Sequence, residues 1–346
     1  MDRKIETNHE ICILYGSQTG TAKFAAEELE RELSRFEYKS LLMAMDSYDF
    51  MNLPDENFII FVVATTGYGE APSNMKTFWK FLLRKDLPED SLENLNYTIF
   101  GLGDSSYEKY NYTAKILNNR LKQLSANLIY PVGLGDDQHD FGYEGEFDPW
   151  CKELIIMLNS KFFPEKKLSK EKICFFPKYS MNLRENVENI IQDDESYSEF
   201  FYDNYKVFKG VMTKVRAITA DCSIKKVLNV SIHLETSKEN ERLIVPKYLP
   251  GDIMLVYPVN DDDSVNKMLS LYNLKGEEAI IMVSDQQTIK PIFPNKIKVR
   301  DLLRRWTNIN GIPSRYFCSI AADFTDDPIH KDKLLLFASK TSVYID

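Results

Sequence analysis

The chain has 346 residues, 44% of them apolar, with 52 acidic against 43 basic side chains and a net charge of −9. That length suggests two domains with real cores, and the acidic balance argues against a nucleic-acid binder while leaving cationic partners open. No apolar run approaches the roughly 18 residues of a membrane span, and the polar start lacks a signal-peptide core. The five cysteines (12, 151, 174, 222, 318) are scattered without a C-x-x-C, and the four histidines are scattered too. This fits reduced thiols and a cytoplasmic location, with no disulfide frame and no metal site.

Residues 11–15 form a short apolar run that stops at Gly16, and Ala22, Phe24, Ala25, Ala26, Leu29 and Leu33 then follow at helical spacing over 21–36. Between them lies Ser17-Gln18-Thr19-Gly20-Thr21, nearly all small or hydroxylated. Strand, loop and helix N-terminus in that order aim backbone amides at one spot, and Ser17, Thr19 and Thr21 add hydroxyl donors. No Gly-Lys-Ser/Thr follows, and Gly16 and Gly20 do not fit G-x-G-x-x-G, so this is neither a Walker loop nor a Rossmann fingerprint. Such a loop suits a monophosphate, such as that of FMN; the bland alternative is a Ser/Thr-rich helix cap.

Strand and helix then alternate. Residues 40–44 read as a short strand and 58–64 as a continuous apolar strand buried on both faces. Residues 73–83 read as helix, 97–101 as strand, 112–124 as helix, 127–132 as the last strand and 147–158 as the last helix. Five strands with crossover helices predict an α/β, doubly wound parallel sheet, in which ligands bind at the carboxyl ends of strands. The loops at those ends are Thr65-Thr66-Gly67-Tyr68-Gly69-Glu70, then Leu102-Gly103-Asp104-Ser105-Ser106-Tyr107-Glu108-Lys109-Tyr110-Asn111, then Gly133-Leu134-Gly135-Asp136-Asp137. Each alone is an ordinary turn, but glycine lets backbone approach a flat ring and Tyr107 can stack on one.

These loops resemble the FMN domain of the diflavin reductases, the flavodoxin-like module of cytochrome P450 reductase and its relatives. Ser17, Gln18, Thr19, Gly20, Thr21 and Ala22 match the family's phosphate loop. Ala64, Thr65, Thr66 and Gly67 match the loop along one flavin face. Leu102 to Asn111 match the loop with the stacking tyrosine, Tyr107, and Asp137 matches an aspartate that completes the site. Thr66 stands where P450 reductases carry a second stacking tyrosine, which leaves Tyr68 as the candidate replacement. Thr-Thr-Gly is closer to the NADPH-dependent diflavin oxidoreductase branch, which serves cytosolic iron–sulfur assembly. The resemblance implies that Gly67 lies beside flavin N5 and flips its peptide to accept a hydrogen bond from the reduced ring. It also implies an anamorsin-type iron–sulfur acceptor and a cytoplasmic location, with mitochondrial association as a further possibility.

Residues 161–202, basic then acidic and weakly periodic, read as a linker after a first domain over 1–160, with a peripheral helix as the alternative. From 203 to 346 a second domain is expected. Residues 205–217 and 226–234 read as long strands, and 248–258 resemble the turn and strand that open the family's FAD-binding barrel. The stretches 298–306 and 313–338 resemble its helical insert. Arg300, Arg304, Arg305 and Arg315 read as solvated helix faces. No Arg-x-Tyr/Phe-Ser FAD motif follows the helices, since Arg315-Tyr-Phe-Cys-Ser-Ile has Cys318 at the serine position, and no glycine-rich NADPH loop follows either. The expectation is therefore the N-terminal part of a diflavin reductase. It would bind FMN, with FAD and NADPH sites completed only in the full family architecture. The alternative is a non-enzymatic FMN electron carrier or adaptor. The flavin end is also acidic, with Glu70, Glu108, Asp136, Asp137, Asp140, Glu144, Glu146 and Asp148 in or near the loops, which reads as a docking surface for a partner or as solubilising charge.

Overall fold

The computed structural model describes residues 9–166, 180–184, 210–220, 222–223, 225–234, 237–239, 242–244, 248–251, 254, 256–283, 293–294 and 296–339. The chain forms two compact units, one of residues 1–176 with 313–346 and one of residues 177–312.

The first unit is built on a parallel sheet of β1 (Ile11–Gly16), β2 (Ser40–Ala44), β3 (Phe58–Ala64), β4 (Asn96–Gly103), β5 (Asn127–Leu128) and β6 (Gly133–Asp136). The strand order is β2-β1-β3-β4, with both β5 and β6 on the far side of β4. Of the expected last strand, 127–132, only Asn127–Leu128 is strand, and the stretch 133–136, read from the sequence as the loop after it, is a strand instead. Pro131 has no N–H to give a ladder, and the break is held by other bonds. Thr98 Oγ1 donates to the Tyr130 carbonyl at 3.0 Å and Trp150 Nε1 to the Pro131 carbonyl at 2.9 Å.

The period of two along each strand divides the apolar residues between two cores. Cys12 and Leu14, Ile59, Phe61 and Val63, and Tyr97 and Ile99 face one core. It is closed by α2 (Lys76–Leu82) through Phe78 and Leu82, and by α3 (Tyr112–Gln123) through Ala114, Leu117 and Leu121. Ile11 and Ile13, Ile60 and Val62, and Phe100 and Leu102 face the other. There α1 (Thr21–Ser34) contributes Ala22, Ala25, Ala26, Leu29 and Leu33 at helical spacing, and α4 (Glu144–Lys161) contributes Phe147, Trp150, Leu154 and Leu158. Helices on both faces of a parallel sheet make the doubly wound architecture that the alternation predicted, and the flavodoxin-like one that the resemblance implied.

The unit of residues 177–312 contains β7 (Ser180–Arg184), β8 (Gly210–Ala217), β9 (Leu228–Leu234), β10 (Ser237–Glu239), β11 (Arg242–Ile244), α5 (Asp262–Leu271), β12 (Ala279–Val283), β13 (Lys296–Lys298) and α6 (Val299–Arg305). β7, β12 and β13 form an antiparallel sheet, backed by a small core of Phe293, Ile297 and Leu302. β8 and β9 pair as an antiparallel ribbon with a bulge between Met212 and Lys214, and β10 pairs with β11. Among the described residues these strands form separate sheets and do not close into a barrel. The turn expected at 248–251 is present, with Gly251 at φ +95°, whereas residues 254 and 256–258 form no strand. Within the expected linker, described at 161–166 and 180–184, Lys166 Nζ bonds the Glu10 carboxylate at 2.8 Å and the Glu37 carbonyl at 2.7 Å.

Two further helices, α7 (Arg315–Ala321) and α8 (Pro328–Ala338), belong to the first unit. Each starts on a side-chain cap: Ser314 Oγ accepts from the Phe317 amide at 3.0 Å, and Asp327 accepts from the Ile329 amide at 2.8 Å beside Pro328. Arg315 corrects the reading of solvated arginines. Its side chain is 22% exposed and paired with Glu144 and Asp148. Arg300 and Arg304 are also half-buried and paired, with Asn266 at 2.9 Å and Asp262 at 3.6 Å respectively. Spacing along a helix shows which residues share a face, but not that another segment arrives to cover it.

Candidate functional site

The parallel order sends the loops after β1, β3, β4 and β6 to one edge, and hydrogen bonds between loops knit them together. The Ser17 amide donates to Asn74 Oδ1 at 2.8 Å, and Gln18 Oε1 accepts from the Ser73 amide at 2.9 Å. Thr65 donates its amide to the Leu102 carbonyl at 2.9 Å and accepts at Oγ1 from the Thr113 amide at 3.2 Å. The Asp137 amide reaches the Gly103 carbonyl at 2.9 Å, and the Ser105 amide reaches Asp136 Oδ1 at 2.8 Å.

In the first loop Ser17 is buried and its Oγ accepts from the Gly20 amide at 3.0 Å, while Thr19 and Thr21 are exposed. Gly20 adopts φ +104°, a left-handed conformation that side chains resist, so the chain turns abruptly into α1. That helix begins with no side-chain cap and no acidic residue in its first turn. Its leading amides and the two hydroxyls are therefore suited to an anion. Ala22 serves the core by its side chain, fully buried, and only its first-turn amide belongs to the loop.

The second loop is a tight turn. Thr66 and Glu70 exchange backbone bonds of 3.0 and 2.7 Å, and Thr66 Oγ1 donates to the Glu70 carbonyl at 3.2 Å. Gly67 at φ +50° and Gly69 at φ +91° allow it. Tyr68, between them, is 88% exposed. Ala64 packs on the core behind the turn.

In the third loop Asp104 accepts from the Ser106 hydroxyl at 2.6 Å and its amide at 2.8 Å, bonds that hold its carboxyl below the usual range. The ring of Tyr107 stands out, 64% exposed, with Glu108 beside it, and Lys109 lies over the Tyr112 ring. Leu102, Tyr110 and Asn111 act as supports. Leu102 is core, the Tyr110 hydroxyl donates to the Leu134 carbonyl at 2.8 Å, and Asn111 is fully buried at φ +52° with Nδ2 on the Gly135 carbonyl at 3.0 Å.

Asp137 is exposed at the start of the fourth loop, and its neighbour Asp136 is the structural anchor. Burial alone would raise the Asp136 carboxyl, but bonds from Ser105 and Gln138 outweigh it and hold it low. Asn74 is a contributor that sequence reading missed, and Asp136, read as part of its loop, was not singled out as the anchor. An aspartate that accepts the amide two residues on is a signature of turns, so Asp136 had a local signal, whereas Asn74 acts across 57 residues and had none.

Of the acidic residues around these loops, Glu70, Glu108, Asp137, Asp140 and Glu146 are exposed. Glu144 and Asp148 are 19% and 26% exposed and are held by Arg315. Another grouping not foreseen lies where β1 and β3 begin. His9 Nε2 stands 3.0 Å from the Glu56 carboxylate, which also accepts from the Tyr48 hydroxyl at 2.9 Å. Cys12 completes a set of candidate metal-ligand atoms within 4.8 Å of one another. Cys12, Cys151, Cys222 and Cys318 are free thiols, and Cys174 lies outside the described residues. No helix among the described residues is long and apolar enough to cross a membrane.

The flavodoxin family profile matches residues 13–150 and the FAD binding domain profile residues 202–344. The NADPH-dependent diflavin oxidoreductase 1 of Danio rerio is 35% identical over 340 residues, 96% of this chain and 56% of that protein. Proteins of the same name from Schizosaccharomyces pombe (34% over 339 residues, 97% of this chain) and Arabidopsis thaliana (32% over 357, 96%) are each covered to 56%. The chain thus spans little more than half the length of the curated relatives it matches. Among solved structures, flavodoxin 2 from Bacillus cereus is 26% identical, covers 44% of this chain and 99% of its own, and has a TM-score of 0.36. With a flavodoxin profile and a FAD binding domain profile in series, this chain is similar along nearly its whole length to proteins named NADPH-dependent diflavin oxidoreductase 1.

Proposed function

We propose that the flavodoxin-like unit holds FMN on the four loops described above. We propose further that the whole protein passes electrons from NADPH through FAD and FMN to an anamorsin-type iron–sulfur protein in the cytoplasm, serving iron–sulfur assembly. The observation that carries the first part is the uncapped start of α1 on one edge with exposed Tyr107 and the glycine turn at Gly67. Bound there, FMN supplies electron transfer in single steps.

The residues divide the work. Ser17, Thr19, Thr21 and the first amides of α1 hold the phosphate through neutral donors. Tyr107 covers one ring face, and Tyr68, also free of the core, is our candidate for the other. Thr65, Thr66 and Gly67 supply backbone, and at Gly67 the absence of a Cβ makes a peptide flip inexpensive, so its carbonyl can accept a hydrogen bond from a ring N–H. Gly103, Asp104, Ser105, Ser106 and Asp137 form the wall between, steadied by Leu102, Tyr110 and Asn111.

A partner must reach this edge for electrons to pass, and the exposed carboxylates favour a cationic face. Flavin release from purified protein tests the cofactor: FMN is expected, and its absence would remove the reading. Stopped-flow mixing of photoreduced protein with an oxidised iron–sulfur acceptor tests the partner. Asp140→Asn with Glu146→Gln should slow the bimolecular rate and flatten its salt dependence, with FMN content unchanged. Equal rates at every ionic strength would leave those carboxylates as solubilising charge.

A further inference from the structure

Arg315 lies outside the span matched by the flavodoxin profile and inside that of the FAD binding domain, yet its side chain is turned onto the flavodoxin-like unit. Nη1 donates to Glu144 Oε2 at 2.6 Å, and Nη2 reaches Asp148 Oδ2 at 3.4 Å and the Ala338 carbonyl at 3.2 Å. Its guanidinium sits 5.3 Å from the centroid of the Phe141 ring. One cation therefore touches the middle of the 137–143 loop, the first two turns of α4 and the end of α8.

We propose that Arg315 is a positioning residue for the flavin loop 137–143, clamping Phe141 and Glu144 so that the loop bearing Asp137 keeps its shape. The inference rests on the FMN reading above. At its other end the loop is fixed to the sheet by the Asp137 amide on the Gly103 carbonyl. Within it the Phe141 amide donates to His139 Nδ1 at 3.1 Å and the Gly142 amide to the His139 carbonyl at 2.7 Å. The end entering α4 is crowded by like charge. Glu144 and Asp148 share their surroundings with Glu28 and Glu32 of α1, and burial together with Glu144 and Asp148 pushes the Glu28 carboxyl up to about 8. Arg31 of α1 offsets part of that charge, but its guanidinium also lies 4.8 Å from the Tyr316 ring. Removing Arg315 would leave two half-buried carboxylates beside Glu28 without their fork of donors, and repulsion would act at the base of the loop.

The 346-residue chain is the material for the test, and FMN affinity by quenching of flavin fluorescence is the first readout. Arg315→Ala should weaken FMN about tenfold, the scale of one lost charged hydrogen bond. In a Glu144→Gln/Asp148→Asn background the same change should cost less than about twofold, because the repulsion that Arg315 offsets is gone. An affinity for Arg315→Ala within twofold of wild type, or an equal loss in both backgrounds, would overturn the proposal. Should Arg315→Ala fail to fold, Arg315→Lys keeps the charge but gives up the fork and the stacking on Phe141. Amide exchange over 137–143 should then quicken several-fold with the exchange of the β3 amides unchanged, and unchanged loop exchange would equally overturn it. A wild-type chain that bound no FMN would sink the FMN reading itself and this inference with it.

Discussion

The Ser17 backbone N–H donates to Asn74 Oδ1 at 2.8 Å, joining the loop after β1 to the segment that leads into α2. The phosphate loop is therefore not shaped by its own residues alone. Asn74→Leu removes the acceptor and leaves the half-buried amide unmet. The expected result is a loss of FMN affinity of about fivefold, the worth of about one neutral hydrogen bond, measured by fluorescence titration. Wild-type affinity in a folded variant would show that the loop holds its shape unaided.

Within that loop, Thr19→Ala with Gly20→Val should abolish FMN retention. The first change removes a hydroxyl, and the second puts a β-branched side chain at φ +104°. The yellow colour of the purified protein is the measurement, with circular dichroism as the check that the sheet survives. Folded protein that still carries FMN would displace the phosphate from this loop.

Glu28 makes stability depend on pH. Its carboxyl, ordinarily near 4.5, is pushed up to about 8 by burial and then by Glu144 and Asp148, with Glu32 adding and Arg31 opposing. The native state therefore keeps this proton over a range in which the unfolded chain has lost it. The stabilising contribution is fully present below about pH 4.5 and disappears as pH rises through about 8. Glu28→Gln imitates the protonated form. It should match wild type near pH 4.5 and exceed it at pH 8.5 by on the order of a few kcal/mol in urea unfolding. A gap of the same size at both pH values would assign the effect to packing instead. The neighbours Tyr143 and Arg315 face the same cluster and are left unchanged in the test.

Phe100 is the hub of the core beneath the β6–α4 side of the sheet. It is fully buried, with ring centroids 5.0 Å from Phe147 and 5.1 Å from Trp150. Phe100→Ala should cost about 3–5 kcal/mol, because the glycines of β6 that face the ring have no side chains to fill the void. Chemical unfolding would measure it, and a cost below about 1 kcal/mol would mean that α4 collapses into the space.

The flavodoxin-like half was legible because its signals are local. The run 58–64 could only be a strand buried on both faces, and the alternation of its residues between two cores follows from the pleat. Ser17, Thr19, Gly20 and Tyr107 announced themselves as hydroxyls, a glycine and an aromatic directly after strands. The division of labour inside the loops was less legible. Tyr110 and Asn111 were read with the site and turn out to hold the strand of Gly133–Asp136 in place, while the carboxylate that ties two loops together is that of Asp136, Asp137 contributing its backbone amide. Adjacent residues of the same type share every sequence signal, and only the turn geometry separates them.

What the sequence determined by itself was the alternation of elements, the edge on which the loops gather and the kind of ligand those loops suit, since each depends on residues within a turn or two of one another. The tertiary structure alone decided where the strand at 127–136 breaks, which carboxylates remain exposed, and that Arg315 covers Glu144 across 171 residues. An ion pair leaves no periodic trace in the sequence. Its existence depends on two separately folded helices arriving at the same place, and that is set by the packing of whole elements.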